Sequence, residues 1–202
     1  MISLIECYLP VFQHGVALHL HTDHFTSYDD YRVESLRLLA EGEATSLKIN
    51  HREEITIAHF AIVAWLDELV LRANPIWEGE WRNHLLQHEL FNTTIGGEIF
   101  FRNLEAIDTE NIELRKFHLF CLALGFKGEF VYRDQDLNDF IQKEKNKLPN
   151  ETTIQLLTGS SETGKVSRQG LQAARSKRNK IIFFTLVFIL SLLMSLGVLD
   201  GA

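Results

Sequence analysis

The sequence predicts an all-α head followed by one C-terminal transmembrane helix. Three observations carry this reading. The chain of 202 residues holds three prolines and twelve glycines, few enough breaks to favour long helices. Its apolar residues recur at helical spacing, and no strand alternation competes. Its last stretch, Ile181–Leu199, runs for 19 residues without a charge. An apolar fraction of 46% supports a packed core and excludes global disorder.

The elements follow in order. Residues 3–21 are predicted as a helix with Pro10 as a kink or break. Residues 22–29 form a polar connection. Asp29 or Asp30 can cap a helix over 31–49, with Gly42 weakening its middle. Glu53–Ala73 is the strongest helix, stopped by Asn74 and Pro75. Glu78–Phe91 is the next, carrying Trp81, Leu85, Leu86, Leu90 and Phe91. Glu98–Ile107 follows the Gly96-Gly97 pair, and Asn111–Gly125 comes after it. Residues 135–148 form a last, more polar helix. The head is therefore residues 1–148. Residues 149–180 combine a linker (149–164) with a basic juxtamembrane segment, 181–199 span the membrane, and 200–202 form a short tail beyond it.

The span, with only Thr185, Ser191, Ser195 and Gly197 among apolar residues, covers roughly 28 Å as a helix, close to a hydrocarbon core of about 30 Å. Lys165, Arg168, Arg175, Lys177, Arg178 and Lys180 precede it, with no acidic residue between 165 and 180. The positive-inside rule then puts the head in the cytoplasm. Arg175, Lys177, Arg178 and Lys180 flank the membrane most closely and attract anionic headgroups. The N-terminus lacks the charge and cleavage pattern of a secretion signal.

Charge is segregated along the chain. The whole carries net −7, whereas residues 1–164 hold 14 basic and 26 acidic residues, net −12. A head that acidic excludes nucleic acid as a partner and suits basic protein surfaces. Cys7 and Cys121 are far apart and read as small core residues.

The chemical candidates are few. His84 and His88 stand four apart, but the Glu that a zinc-protease helix needs after the first His is Leu85 here. They read as surface histidines, and no metal or cofactor is implied. Residues 159–166 (GSSETGKV) nearly match a phosphate loop. Val166 replaces the hydroxyl that would hold Mg²⁺, and the loop lacks its parallel sheet, so a Gly/Ser linker is the better reading. Asp67 and Glu68 interrupt the apolar stretch Phe60–Leu71. They read either as an acid/base pair or as a structural or partner-docking site, and no nucleophile accompanies them. Trp77 and Trp81 share a helix face if that helix begins early. Gly96 and Gly97 allow a tight corner with close backbone approach or positive φ, and Glu98 can sit in the first turn after it.

Taken together, these phrases resemble the DotU/TssL family, the tail-anchored inner-membrane component of type VI secretion systems and of the related type IVB systems. Ala64-Trp65-Leu66-Asp67-Glu68 is similar to the family's A-L-D-E phrase, with Trp65 in place of a small residue. Trp77, Trp81, Leu90-Phe91 and Thr94-x-Gly96-Gly97-Glu98-x-Phe100-Phe101-x-x-Leu104 follow. Leu122-x-Leu124-Gly125-Phe126-x-Gly128 closes the pattern, with Phe130 where an aromatic is usual. The resemblance implies a cytoplasmic hook of two helical bundles with a cleft between them. It implies pairing with a large IcmF/TssM-like membrane protein, a tendency to dimerise, and docking of the baseplate. The role is structural, with no catalytic residue. Asp67, Glu68, Trp77, Trp81, Gly96, Gly97 and Glu98 would form or shape the docking cleft. The competing class is a membrane-tethered enzyme or nucleotide-binding protein.

Overall fold

The computed structural model describes residues 2–49 and 52–149. Among them every regular element is helical and no strand occurs.

The helix expected over 3–21 is two helices. In α1 (Leu4–Cys7), Ser3 and Glu6 form a capping box: Ser3 Oγ accepts from the Glu6 N–H at 3.2 Å, and the Ser3 N–H donates to Glu6 Oε2 at 2.6 Å. α2 (Leu9–Leu20) restarts after Tyr8 with Pro10 in its first turn. Pro10 thus opens a helix rather than bending one, because a first-turn N–H has no intrahelical partner to lose.

α3 (Tyr28–Ser46) starts before the expected residue 31. Its cap is Ser27, whose Oγ accepts from the Asp30 N–H at 3.2 Å. Asp29 and Asp30, expected as caps, lie in the first turn, where the helix dipole favours them. Gly42 stands mid-helix for a packing reason: a Cβ there would come 2.5 Å from the Tyr8 ring. The joint between α1 and α2 occupies that gap.

α4 (Arg52–Ala73) is the axis. Residues Ala58 through Asp67 are buried without interruption, the mark of a helix enclosed on all sides. α2 and α3 pack on it, as do α5 (Glu78–Asn83), α6 (Leu86–Phe91), α7 (Gly96–Ala106) and α8 (Ile112–Ala123). Trp65 is fully buried. Gly15 on α2 makes room for it, since a Cβ at 15 would come 2.7 Å from the Trp65 ring. Asn74, at φ 52°, ends the helix ahead of Pro75.

Glu78–Phe91, expected as one helix, is broken at His84 and Leu85 into α5 and α6. Gly96 and Gly97, expected as a corner before a helix, lie inside the first turn of α7. α8 is capped by Asn111, whose Oδ1 accepts from the Leu114 N–H at 3.1 Å while its Nδ2 donates to Glu54 of α4 at 2.8 Å. One buried cluster runs through the described residues, from Leu4 to Leu148.

α9 (Asp134–Lys145) docks on α8 through a buried ion pair that sequence reasoning did not single out. The side chains of Arg115 and Glu144 are both fully buried. The Arg115 guanidinium donates to the Glu144 carboxylate, to the Ile107 carbonyl at 2.6 Å and to the Leu104 carbonyl at 3.5 Å. Lys147 Nζ also reaches Glu144, at 2.6 Å. The pair therefore joins α9 to both α8 and the end of α7.

Among the described residues no helix is long and apolar enough to cross a membrane. The expected span at 181–199, its basic flank and the phosphate-loop-like 159–166 lie outside the described residues.

Breaking the Arg115–Glu144 pair should be costly. Arg115→Met should lower the unfolding free energy by about 3–5 kcal/mol, and adding Glu144→Leu should recover most of it. Urea denaturation of the three proteins checks this. A single-variant loss within the ~1 kcal/mol of an exposed ion pair would refute the assignment.

Candidate functional site

Asp67 and Glu68 are consecutive on α4, so their side chains leave the helix about 100° apart. Each closes on a different piece of chain. Asp67 is 1% exposed. Its Oδ1 accepts from the Trp81 indole N–H at 2.9 Å and from the Leu86 N–H at 3.1 Å, and its Oδ2 accepts from the Gln87 N–H at 2.8 Å. The last two donors open α6. Asp67 thus supplies, from a neighbouring helix, the cap that α6 lacks in its own sequence. This is the physical reason that α5 and α6 are separate. The chain must turn at His84 and Leu85 to present those N–H groups to a buried carboxylate.

Glu68 reaches the other way. It accepts from the Lys127 N–H at 2.9 Å and the Gly128 N–H at 2.7 Å, with Arg72 at 3.5 Å. Arg72 also donates to the Gly125 carbonyl at 2.5 Å. Gly128 sits at φ 49°, and a Cβ on Gly97 would come 2.9 Å from the Gly128 Cα. Gly97 therefore serves as a close approach between α7 and the 127–128 turn. Gly96 is tied to the Asp67 side instead, its N–H donating to Gln87 Oε1 at 2.8 Å. Glu98 is exposed.

The tryptophans belong to the Asp67 side. Both are buried, with ring centroids 6.1 Å apart. Trp77 donates its indole N–H to the Phe25 carbonyl at 2.7 Å, which holds the connection before α3. Arg32, unrecognised in the sequence, closes the assembly from outside. Its guanidinium lies over the Trp81 ring at 5.4 Å, donates to the His84 carbonyl at 2.7 Å and pairs with Glu89 at 2.5 Å. The α5–α6 elbow is thus gripped from inside by Asp67 and from outside by Arg32. His84 and His88 fall on opposite sides of the break, so they do not share one helix face.

Burial dominates the electrostatics. It pushes the Asp67 carboxyl up to about 6, against the opposing pull of three N–H donors and of Arg32. Burial also raises Glu68, opposed by the Gly128 and Lys127 N–H groups and the nearby Arg72. No nucleophile or base stands with the pair, and among the described residues no group of three metal-ligating side chains occurs. The arrangement holds backbone segments in place.

The model of the family described as type VI secretion system protein DotU matches residues 3–200. The chain belongs to the DotU family. No curated protein sequence matches it. Among solved structures, the cytoplasmic domain of TssL from Acinetobacter baumannii is similar at a TM-score of 0.63 and 23% identity, over 73% of this chain and 97% of that one. That likeness establishes the shared all-α fold. In this DotU-family head the phrases noted in the sequence are mutually bound: Asp67 to Trp81 and the start of α6, Glu68 to the 127–128 turn, and Gly97 to Gly128.

Two outcomes follow for Asp67. Asp67→Ala strands three buried donors and should cost about 3–5 kcal/mol in denaturant unfolding. The pH dependence has a definite sign. The folded carboxyl binds its proton near pH 6, before the unfolded one does near its ordinary value. This group therefore favours the fold increasingly as pH falls from 7 towards 4, by at most about 3 kcal/mol. The wild type should gain stability relative to Asp67→Asn on acidification from pH 7 to 5. A relative loss would overturn the assignment.

Proposed function

We propose that this chain is the tail-anchored inner-membrane component of a type VI secretion membrane complex. It pairs there with an IcmF/TssM-like protein and docks the baseplate through its helical head. The observation that carries the reading is the family match, which runs from residue 3 to 200 and so includes the charge-free stretch 181–199 with its basic flank. The matched family, that of type VI secretion system protein DotU, favours a type VI machine over the type IVB alternative. The role is structural, in keeping with a site whose carboxylates bind backbone N–H groups of the same chain.

Docking through the cleft residues divides into two parts. Asp67, Glu68, Trp77, Trp81, Gly96 and Gly97 hold the frame, since their polar groups or their space are taken up inside the head. Glu98 is exposed and has no ion-pair partner among the described residues. It is the cleft residue free to meet a partner, and a basic one suits it.

The tests separate these parts. A tagged chain should co-purify with an IcmF-like protein from detergent extracts, and its deletion should abolish effector export. Glu98→Lys should keep wild-type stability and that co-purification while recovering at least about tenfold less baseplate protein, the scale of a 1.4 kcal/mol loss. Asp67→Ala with Glu68→Ala should impair export through lost stability of the head. Normal export in both variants would refute the docking role. Absence of any IcmF-like partner would refute the assembly itself.

A further inference from the structure

A second feature adjoins the tryptophan side of the Asp67–Glu68 frame. Between α2 and the start of α3 the surface opens into a hollow of about 320 Å³. Its walls include His14, Phe25, Asp30, Tyr31 and Glu34. The volume is at the low end of the ~300–1,000 Å³ used by small ligands, so it admits a side chain but no folded element.

The walls have a consistent chemistry. The His14 and Tyr31 rings stack at 4.1 Å, and the Phe25 ring stands perpendicular to both, at 6.1 Å from His14 and 5.5 Å from Tyr31. Two carboxylates join these rings. Glu34 is engaged by Arg37 at 2.7 Å, whereas Asp30 has no ion-pair partner among the described residues. Burial lowers the pKa of His14, whose Nε2 lies 3.2 Å from Ser35 Oγ, and His24 also lines the hollow. Tyr31 is 2% exposed, so it backs the hollow from inside the head. Aromatic rings beside a carboxylate without an ion-pair partner, Asp30, attract a planar organic cation, by the ring quadrupole and by charge together.

We propose that this hollow is a binding site for an arginine side chain presented by a partner protein. Arginine fits better than lysine because its flat guanidinium can lie against rings and meet a carboxylate edge at once. A protein source is favoured over a lipid headgroup by charge. Asp29, Asp30, Glu34 and Glu41 outnumber Arg37, which pairs with the two glutamates, and leave this side of α3 acidic, within residues 1–164 that carry net −12. That field draws a basic protein surface and repels an anionic membrane.

None of the seven candidate docking residues lines this hollow, and its test does not depend on secretion. The full chain, purified in a maltoside detergent, is titrated with an acetyl-Gly-Ser-Arg-Ser-Gly-amide peptide and with its Lys and norleucine counterparts. Trp77 fluorescence reports binding, because Trp77 is bonded to Phe25 and lies 5.2 Å from the Tyr31 ring. Calorimetry supplies a second readout. The Arg peptide should bind saturably, the Lys peptide more weakly and the norleucine peptide not at all. Asp30→Asn and Phe25→Leu should each weaken the Arg peptide about tenfold, with helicity unchanged by circular dichroism. Glu105→Gln, away from the hollow, should not. Equal binding of the norleucine peptide, unchanged affinity in folded Asp30→Asn, or choline binding as tightly as the Arg peptide would each overturn the proposal. A negative result here leaves the export tests for Glu98 and Asp67 unaffected.

Discussion

A carboxylate at 1% exposure in the middle of an enclosed helix must find all its donors within reach. Asp67 sets that constraint on this head. Bulk water does not reach it, and among the described residues no cation touches it directly. The donors come from the chain: one indole and two backbone N–H groups. To deliver them, Trp81 must turn inward and the helix after Pro75 must stop and restart. Arg32 then covers the turn it creates. Much of the shape between α4 and α7 follows from one buried charge.

Glu68 extends the same logic to the far side. Because it follows Asp67 directly, the two carboxylates diverge and fasten separate segments to a single axis. Each takes backbone donors in pairs, a stronger arrangement than an exposed ion pair. The close approach of Gly97 to Gly128 depends on Glu68 holding the 127–128 turn in place. The glycines and the acids, separate phrases along the chain, are parts of one joint.

The long elements were legible because their signals are local. The period of α4, the stop at Asn74-Pro75 and the Asn111 start of α8 can each be read within a few residues. The misplaced boundaries have non-local causes. Nothing near His84 announces a break, since the group that requires it is 17 residues upstream on another helix. Ser27 does not stand out as a cap in the sequence because Asp29 and Asp30 look equally good. Gly42 and Gly15 carry no turn signal, because each exists for a ring that arrives from elsewhere, Tyr8 and Trp65. The acidic pair stood out as charges in an apolar run. Arg32, Arg115 and Glu144 did not, because their surroundings are polar in sequence and become dry only on packing.

The Arg115–Glu144 pair has a mechanical side. α9 is the last helix among the described residues, and a pull at its C-terminal end loads it directly. The apolar contacts of Leu137 and Leu148 can be peeled apart one at a time. A fully buried guanidinium bound to a carboxylate and to two carbonyls must yield as a unit, in surroundings closed to bulk water. The pair is a rivet between α9 and α8, so a pull on α9 would be carried to α8 as through a stiff strap.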